Sequence, residues 1–276
     1  MAGTGTATAS VRADWNHVAL AWGELHEHTE ASVAPVTQRL LTLLEPAPGE
    51  TILELGCGMG TLGMGVAQLV GSQGTVIVSD IAEGMVAAAR RRAEGVPAAN
   101  VQVRVLDGQA IDLPDQSVDA VVCRMGYMLM PDPQVAFAEA RRVLRDSGRL
   151  VLSVWSGPEH NAWALVLGMA VMQAGLVGPD PFGAGGLFSL SDKATLGAAL
   201  SGAGFPHVRI DQVDSPHGFE DVDSCWQITS RPAGPLAAIL SELPGRSWRR
   251  SSGTWSLWHR STRGLKACCF RGRRWW

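Results

Sequence analysis

The sequence predicts an α/β fold: a doubly wound, mostly parallel sheet with helices on both faces, N-terminal helices and an inserted helical cap. Three observations predict it. Short Val/Ile/Leu-rich runs alternate with helical stretches from residue 51 to residue 155, the pattern of strands covered on both faces. The first run, TILELG, breaks into glycines at 56, 58, 60 and 63, as a strand must when it turns sharply into a helix. The acids Glu54, Asp80 and Asp107 stand at the ends of three successive runs. Right-handed crossovers put the first strand at the centre, with its carboxyl end at the ligand crevice.

Residues 1–10, MAGTGTATAS, hold neither a basic nor an apolar segment and read as a flexible tail with no signal peptide. Trp15, Val18, Ala19 and Trp22 fall at i, i+3, i+4 and i+7, one face of an amphipathic helix that either packs into the core or closes over a site. VTQRLLTLLE is a second helix, stopped by Pro46-Ala47-Pro48-Gly49, so residues 1–45 are tail and cap helices. The core, 46–155, then opens with TILELG as strand one and a helix after Thr61. TVIVSD (75–80) is strand two, and the following helix carries arginines in its last turn, where the dipole favours them. VQVRVLD (101–107) and VDAVVCR (118–124) are strands three and four. Asp132 caps a helix with Pro133 at its first position, ending before Gly148, and RLVLSVW (149–155) is strand five. Residues 156–205 form a helical segment with a Gly/Pro loop, and 206–244 hold a strand, HVRIDQV, and a helix.

The chain has 276 residues, 46% apolar and 18% charged, enough for one large domain or a core with a cap. Its longest apolar stretch, Ala162 to Ala174, is too short to span a bilayer, so no integral membrane segment is expected. Five cysteines have neither disulfide nor zinc spacing, which makes a reducing cytoplasm the simpler setting and predicts no metal. Net charge is −3, but residues 245–276 hold nine Lys/Arg and no acid. The remaining body is acidic, which argues against nucleic acid as a substrate.

Read literally, Gly58-Met59-Gly60-Thr61-Leu62-Gly63 is the dinucleotide fingerprint G-x-G-x-x-G. A pyrophosphate needs backbone N–H groups at a helix N-terminus and no acid nearby. Glu54 stands two residues before the first glycine, where it would repel a diphosphate but suit a ligand bearing an ammonium and a sulfonium group. S-adenosylmethionine (SAM) bears both. Asp80, at the end of strand two, suits the two hydroxyls of a ribose and would serve a nicotinamide cofactor equally well. Asp107, before Gly108-Gln109, either accepts from an adenine amino group or forms a turn.

With these residues in view, the segments ILELGCGMG, VIVSDIAEGMVAAAR, VLDGQAIDLPDQSVDAVVCRMGYMLMPDP and EARRVLRDSGRLVLSVW together resemble a class I SAM-dependent methyltransferase. The type is that of the ubiquinone/menaquinone-biosynthesis enzymes, and the resemblance covers residues 51–155 with a Rossmann-like core. It implies methionine-moiety contacts at Glu54, Gly56 and Gly58, with Cys57 and Gly60 completing the turn. It implies ribose at Asp80, with Ile81 beside it, and adenine at Asp107, the Gly108 backbone and Gln109. Arg124 lines the cofactor pocket or pairs with a nearby acid. Met59 departs from the family, in which threonine is frequent at that place.

Methyl transfer from a sulfonium asks the protein mainly for alignment and exclusion of water, so a triad or metal cluster is not expected. A base helps only where the acceptor loses a proton; His26, His28, His160 and His217 lie in segments that face the acceptor, and none is assigned that role. Met125, Tyr127, Met128, Met130, Trp155 and Trp163 describe either an apolar pocket for a small acceptor or ordinary core. The rival readings are a non-catalytic SAM-binding protein and an NAD(P)-dependent oxidoreductase.

The segment 245–276 holds five of the ten tryptophans and has no period. A basic, Trp-rich stretch suits a membrane surface or nucleic acid. It also suits a displaced reading frame, because Trp and Cys codons shifted by one base encode Leu, Met or Val. In that frame GTWSLWHRSTRGLKACCFRGRRWW can decode near DLEPLAPVYARVEGVLLPGEALVV, similar to the end of a family member with its last strand. On this reading the last strand is lost and HVRIDQV is left without a neighbour.

Overall fold

The computed structural model describes residues 2–95, 101–173, 175–176, 180, 183–215, 222–241 and 265–273. Two helices, α1 (Ala2–Glu24) and α2 (His26–Leu44), precede the alternating core. The core runs β1 (Thr51–Leu55), α3 (Thr61–Val70), β2 (Thr75–Asp80), α4 (Glu83–Ala93), β3 (Val101–Val105), β4 (Val118–Arg124), α5 (Pro133–Val143) and β5 (Leu144–Trp155). Then come α6 (Ala162–Gln173), α7 (Lys193–Gly202), β6 (His207–Ser215), α8 (Val222–Ser230), α9 (Ala237–Ser241) and β7 (Leu265–Arg273). The seven strands form one sheet in the order β3-β2-β1-β4-β5-β7-β6. Pairs among β1 to β5 are parallel, and β7 is antiparallel to both its neighbours.

β1, β2, β4 and β5 are buried over nearly their whole length, as their unbroken apolar runs predict for strands covered on both sides. Asp132 accepts from the N–H groups of Gln134 and Val135 at 3.1 and 3.2 Å, so α5 starts where its capping residue and Pro133 predict. It ends at Val143, five residues before Gly148, because β5 begins there and pairs Leu144 with Val118 across a register shift. The far end of α2 is fixed by Arg149 of β5. Its guanidinium donates to the Leu44 and Glu45 carbonyls, the open C-terminus of the helix, and grips both carboxylate oxygens of Glu50 at 2.7 and 2.6 Å.

Two expectations are overturned. The opening residues are helix from Ala2 rather than a flexible tail; Gln109 donates to the Thr8 hydroxyl at 3.1 Å, and that tertiary tie overrides the weak propensity of Gly and Thr. The last strand is not lost. Leu265–Arg273 lies between β5 and β6, in register from Trp155↔Ala267 to Arg149↔Arg273 and from Ser215↔Leu265 to His207↔Arg273. Two strand edges facing one slot leave rows of N–H and C=O groups that a strand between them satisfies in register. The tail's other residues, 245–264 and 274–276, lie outside the described residues. Among the described residues no helix is long and apolar enough to cross a membrane.

Candidate functional site

β1 ends in a left-handed turn that favours glycine: Gly56, Gly58 and Gly60 have φ of 63°, 53° and 80°. Gly56 also approaches Gly126 of the β4 end, and a side-chain carbon on Gly60 would stand 2.9 Å from Ala89 of α4. Around Gly58 such a carbon meets nothing within 4 Å, so the turn is open there.

The N–H groups of this turn are largely spent within the protein. Cys57 donates to the Ser79 carbonyl at 2.9 Å, Gly58 to Asp80 Oδ2 at 2.9 Å, and Gly60 to the Cys57 carbonyl at 2.9 Å. Beneath them Glu54 is 2% exposed, with Oε2 free of any hydrogen-bond partner. Burial pushes its carboxyl up to about 8, against the pull of Arg124. Gly63 has no side chain because none fits: a Cβ there would lie 2.3 Å from Glu54 Oε2 and 2.6 Å from Val78.

Asp80 is 8% exposed and is committed on both oxygens, Oδ2 to Gly58 and Oδ1 to the Ala82 N–H at 3.0 Å. It braces the turn from β2, and burial raises its carboxyl above the usual range. Ile81 links this brace to α4, whose first turn meets α1: Asn16 Oδ1 accepts from the Gly84 N–H at 2.9 Å. Asp107 makes the turn that its following glycine suggests, accepting from the Gln109 N–H at 2.9 Å through Oδ1. Gly108 is packed against the end of Met130.

Arg124 and Gln109 both make contacts within the protein. Arg124 is held by both oxygens of Glu30 on α2, at 2.8 and 2.5 Å, and by the Thr37 hydroxyl at 2.7 Å. Of the two alternatives for this residue, the ion pair is the one formed. Gln109 bridges instead of facing outward, donating to Thr8 and accepting from the Asp132 N–H at 2.6 Å. Tyr127 and Met128 are core, the ring of Tyr127 stacking on Phe137 at 4.7 Å. Met125, Met130 and Trp163 are only partly buried, and Trp163 meets Trp155 edge-on at 5.6 Å.

A cluster over the turn escaped sequence reasoning. Arg92, read as a dipole-compensating cation, donates through Nε to the Met59 carbonyl at 3.1 Å and through Nη2 to His26 Nε2 at 2.6 Å. His26 also meets the Thr61 hydroxyl at 3.4 Å, and burial with Arg92 holds its imidazole below the usual range. Met59 packs with Trp15, Val18, Ala19 and Trp22 of α1. The signals for this cluster were the apolar stripe of α1 and Met59, which stands where the family frequently has threonine. His160 sits at the surface beside Glu159, and His217 lies outside the described residues.

Residues 52–148 match the family model of a methyltransferase domain. The chain is 36% identical over 192 residues to nocamycin O-methyltransferase of Saccharothrix syringae, covering 63% of this chain and 66% of that protein. It is 34% identical over 119 residues to the aklanonic acid methyltransferase DauC of Streptomyces sp. (strain C5), covering 43% of this chain and 54% of that one. The chain thus spans about two thirds and about half of these relatives. A SAM-dependent methyltransferase of Aquifex aeolicus shares the fold, with a TM-score of 0.54 at 21% identity over 70% of this chain and 89% of that one. With this match, the sheet order and the glycine turn in agreement, the chain carries a class I SAM-dependent methyltransferase domain.

Proposed function

We propose that the chain transfers a methyl group from SAM to a small, apolar acceptor. The observation that carries the reading is the glycine turn, with its N–H groups donated inward and a buried carboxyl with an unpartnered oxygen beneath it. A diphosphate requires outward N–H groups and no acid; an ammonium group requires what Glu54 offers. The residues therefore fit the donor better than a nicotinamide cofactor.

When bound, the donor supplies an electrophilic methyl on a sulfonium leaving group. Glu54 would take the ammonium group, while Gly56 and Gly58 let the backbone come close. Asp80 keeps the turn in shape and retains a lone pair on each oxygen for ribose hydroxyls. Asp107 and the Gly108 backbone would face the base. Arg124 and Gln109 serve from behind, the first through its charge and the second by tying α1 to the start of α5. Above the turn, α1 and α2 exclude water, and Met125, Met130 and Trp163 give the acceptor side an apolar wall. Alignment in such a dry site is worth about 7–11 kcal/mol. The names of the two antibiotic-related relatives support a small-molecule acceptor, and the buried free thiols Cys57, Cys123 and Cys225 support a reducing, cytoplasmic setting.

Titration of the wild type and Asp80→Ala with SAM, S-adenosylhomocysteine and NAD tests the reading. Binding of the two adenosyl compounds is expected in the micromolar range, on the order of −8 kcal/mol, clearly weaker in the variant, with no NAD binding. NAD binding without the adenosyl compounds refutes it. Equal affinity in both proteins removes Asp80 from the site.

A further inference from the structure

Glu54 pairs in register with Val122 of β4, and Arg124 is two residues further along that strand. Register partners and their i+2 neighbours share one face of a sheet, so Arg124 stands beside Glu54 on the face covered by α2 and α3. The guanidinium is clasped by Glu30 and Thr37. From α2 inward the groups alternate: the Glu30 carboxylate, the Arg124 guanidinium, then the Glu54 carboxyl, whose Oε2 packs against Gly63 of α3.

Glu54 is the one member of this row with an unpartnered buried oxygen. Burial keeps it protonated at neutral pH, Arg124 pulls toward the ion, and Glu30 and Asp80 oppose ionisation. Of the other titratable groups nearby, burial holds the thiols of Cys57 and Cys123 protonated, His26 on α2 is held neutral, and the Arg92 guanidinium is turned to His26 and the Met59 carbonyl. Arg124 is therefore the cation that can favour the ion in an empty site.

We propose that Glu30 and Arg124 are a positioning pair for Glu54, holding a cation where it favours the carboxylate, so that binding of the donor's ammonium group releases one proton from Glu54. The inference rests on the function proposed above. In the step, the O–H bond of Glu54 breaks, its proton passes to buffer, and a carboxylate–ammonium pair forms; no electrons are transferred. The clasp by Glu30 fixes the guanidinium on α2's side of the row, where it does not compete with the ligand's own ammonium for the carboxylate.

Isothermal titration of the full chain with S-adenosylhomocysteine, in buffers of different ionisation enthalpy, reads the proton directly. Near one proton is expected at pH 6.5, falling at pH 8.5, with affinity rising about tenfold per pH unit between 6 and 7.5. Glu54→Gln abolishes both the release and the pH dependence. Arg124→Met moves the affinity midpoint to higher pH, and Arg124→Lys restores it in part. Glu30→Gln, which keeps a partner for Arg124 but removes the opposing charge, moves it lower. A merely structural pair predicts lower Tm in both Arg124→Met and Glu30→Gln with an unmoved midpoint, and that result overturns the inference. So does proton release that persists in Glu54→Gln, or its absence in the wild type while the ligand binds. A folded wild type that does not bind the ligand at all overturns the proposed function itself.

Discussion

Two glycines in α3 test the placement of the buried carboxylate. Replacing an exposed or half-exposed helical glycine by alanine stabilises a helix by about 0.8–1.0 kcal/mol. Gly65 should show that gain, since an added Cβ there meets nothing within 4 Å. Gly63, half a turn earlier, should not. Its Cβ would stand 2.3 Å from Glu54 Oε2 and 2.6 Å from a methyl of Val78, in a strand that cannot yield. Overpacking of this kind costs about 1–3 kcal/mol, which cancels or exceeds the propensity gain. The two variants should therefore differ by about 1–3 kcal/mol, or about 2–12 °C in Tm at 2–4 °C per kcal/mol. Differential scanning calorimetry measures the difference, and titration with S-adenosylhomocysteine should show affinity reduced about tenfold or more, on the order of 1.4 kcal/mol, in Gly63→Ala alone. If Gly63→Ala is as stable as Gly65→Ala and binds like the wild type, the carboxylate does not lie under this helix.

Other outcomes follow from the same packing. Arg149→Met leaves the carbonyls closing α2 and the Glu50 carboxylate without their cation, and should lower stability by about 3–5 kcal/mol in urea while sparing ligand affinity. Glu54 is raised from 4.5 to about 8 by burial, so the folded chain keeps a proton that the unfolded chain has given up. The stability this contributes is full below pH 4.5 and lost as pH rises through about 8. Asp80, also raised, acts in the same direction. Urea unfolding of the ligand-free wild type should thus weaken between pH 5 and 8, by at most about 1.4 kcal/mol per pH unit for each group, and Glu54→Gln should flatten the slope. If 245–276 is read out of frame, substituting DLEPLAPVYARVEGVLLPGEALVV for residues 253–276 should raise Tm; a lower Tm, or a shifted frame in the gene that stops early, disproves it.

The parts of this protein written locally were legible. Strands β1, β2, β4 and β5 are apolar runs bounded by glycine, proline or acid, and Asp132 with Pro133 marks a helix start by its own chemistry. The place of Glu54 at the foot of the glycine turn was legible from the strand that carries it. The clasp of Glu30 on Arg124 joins residues 94 apart, and the contact of His26 with Arg92 joins residues 66 apart. No period or spacing records such pairs, since each side chain alone reads as a solvated charge. The tie from Gln109 to Thr8, across 101 residues, turned a supposed loose end into helix for the same reason. Tyr127 and Met128 show the converse: side chains of the right type for a pocket were aimed into the core by the backbone beyond β4.

The slot of β7 sets a timetable for biosynthesis. As the chain leaves the ribosome, β1 to β5 can assemble in turn, each new strand beside one already placed. β6 cannot join them, because it reaches the sheet only through a strand that begins 50 residues after β6 ends. Until then β5 carries a bare flank, the kind of surface that recruits foreign strands in a crowded cell. Nascent chains stalled before residue 265 should therefore be the form that chaperones hold longest.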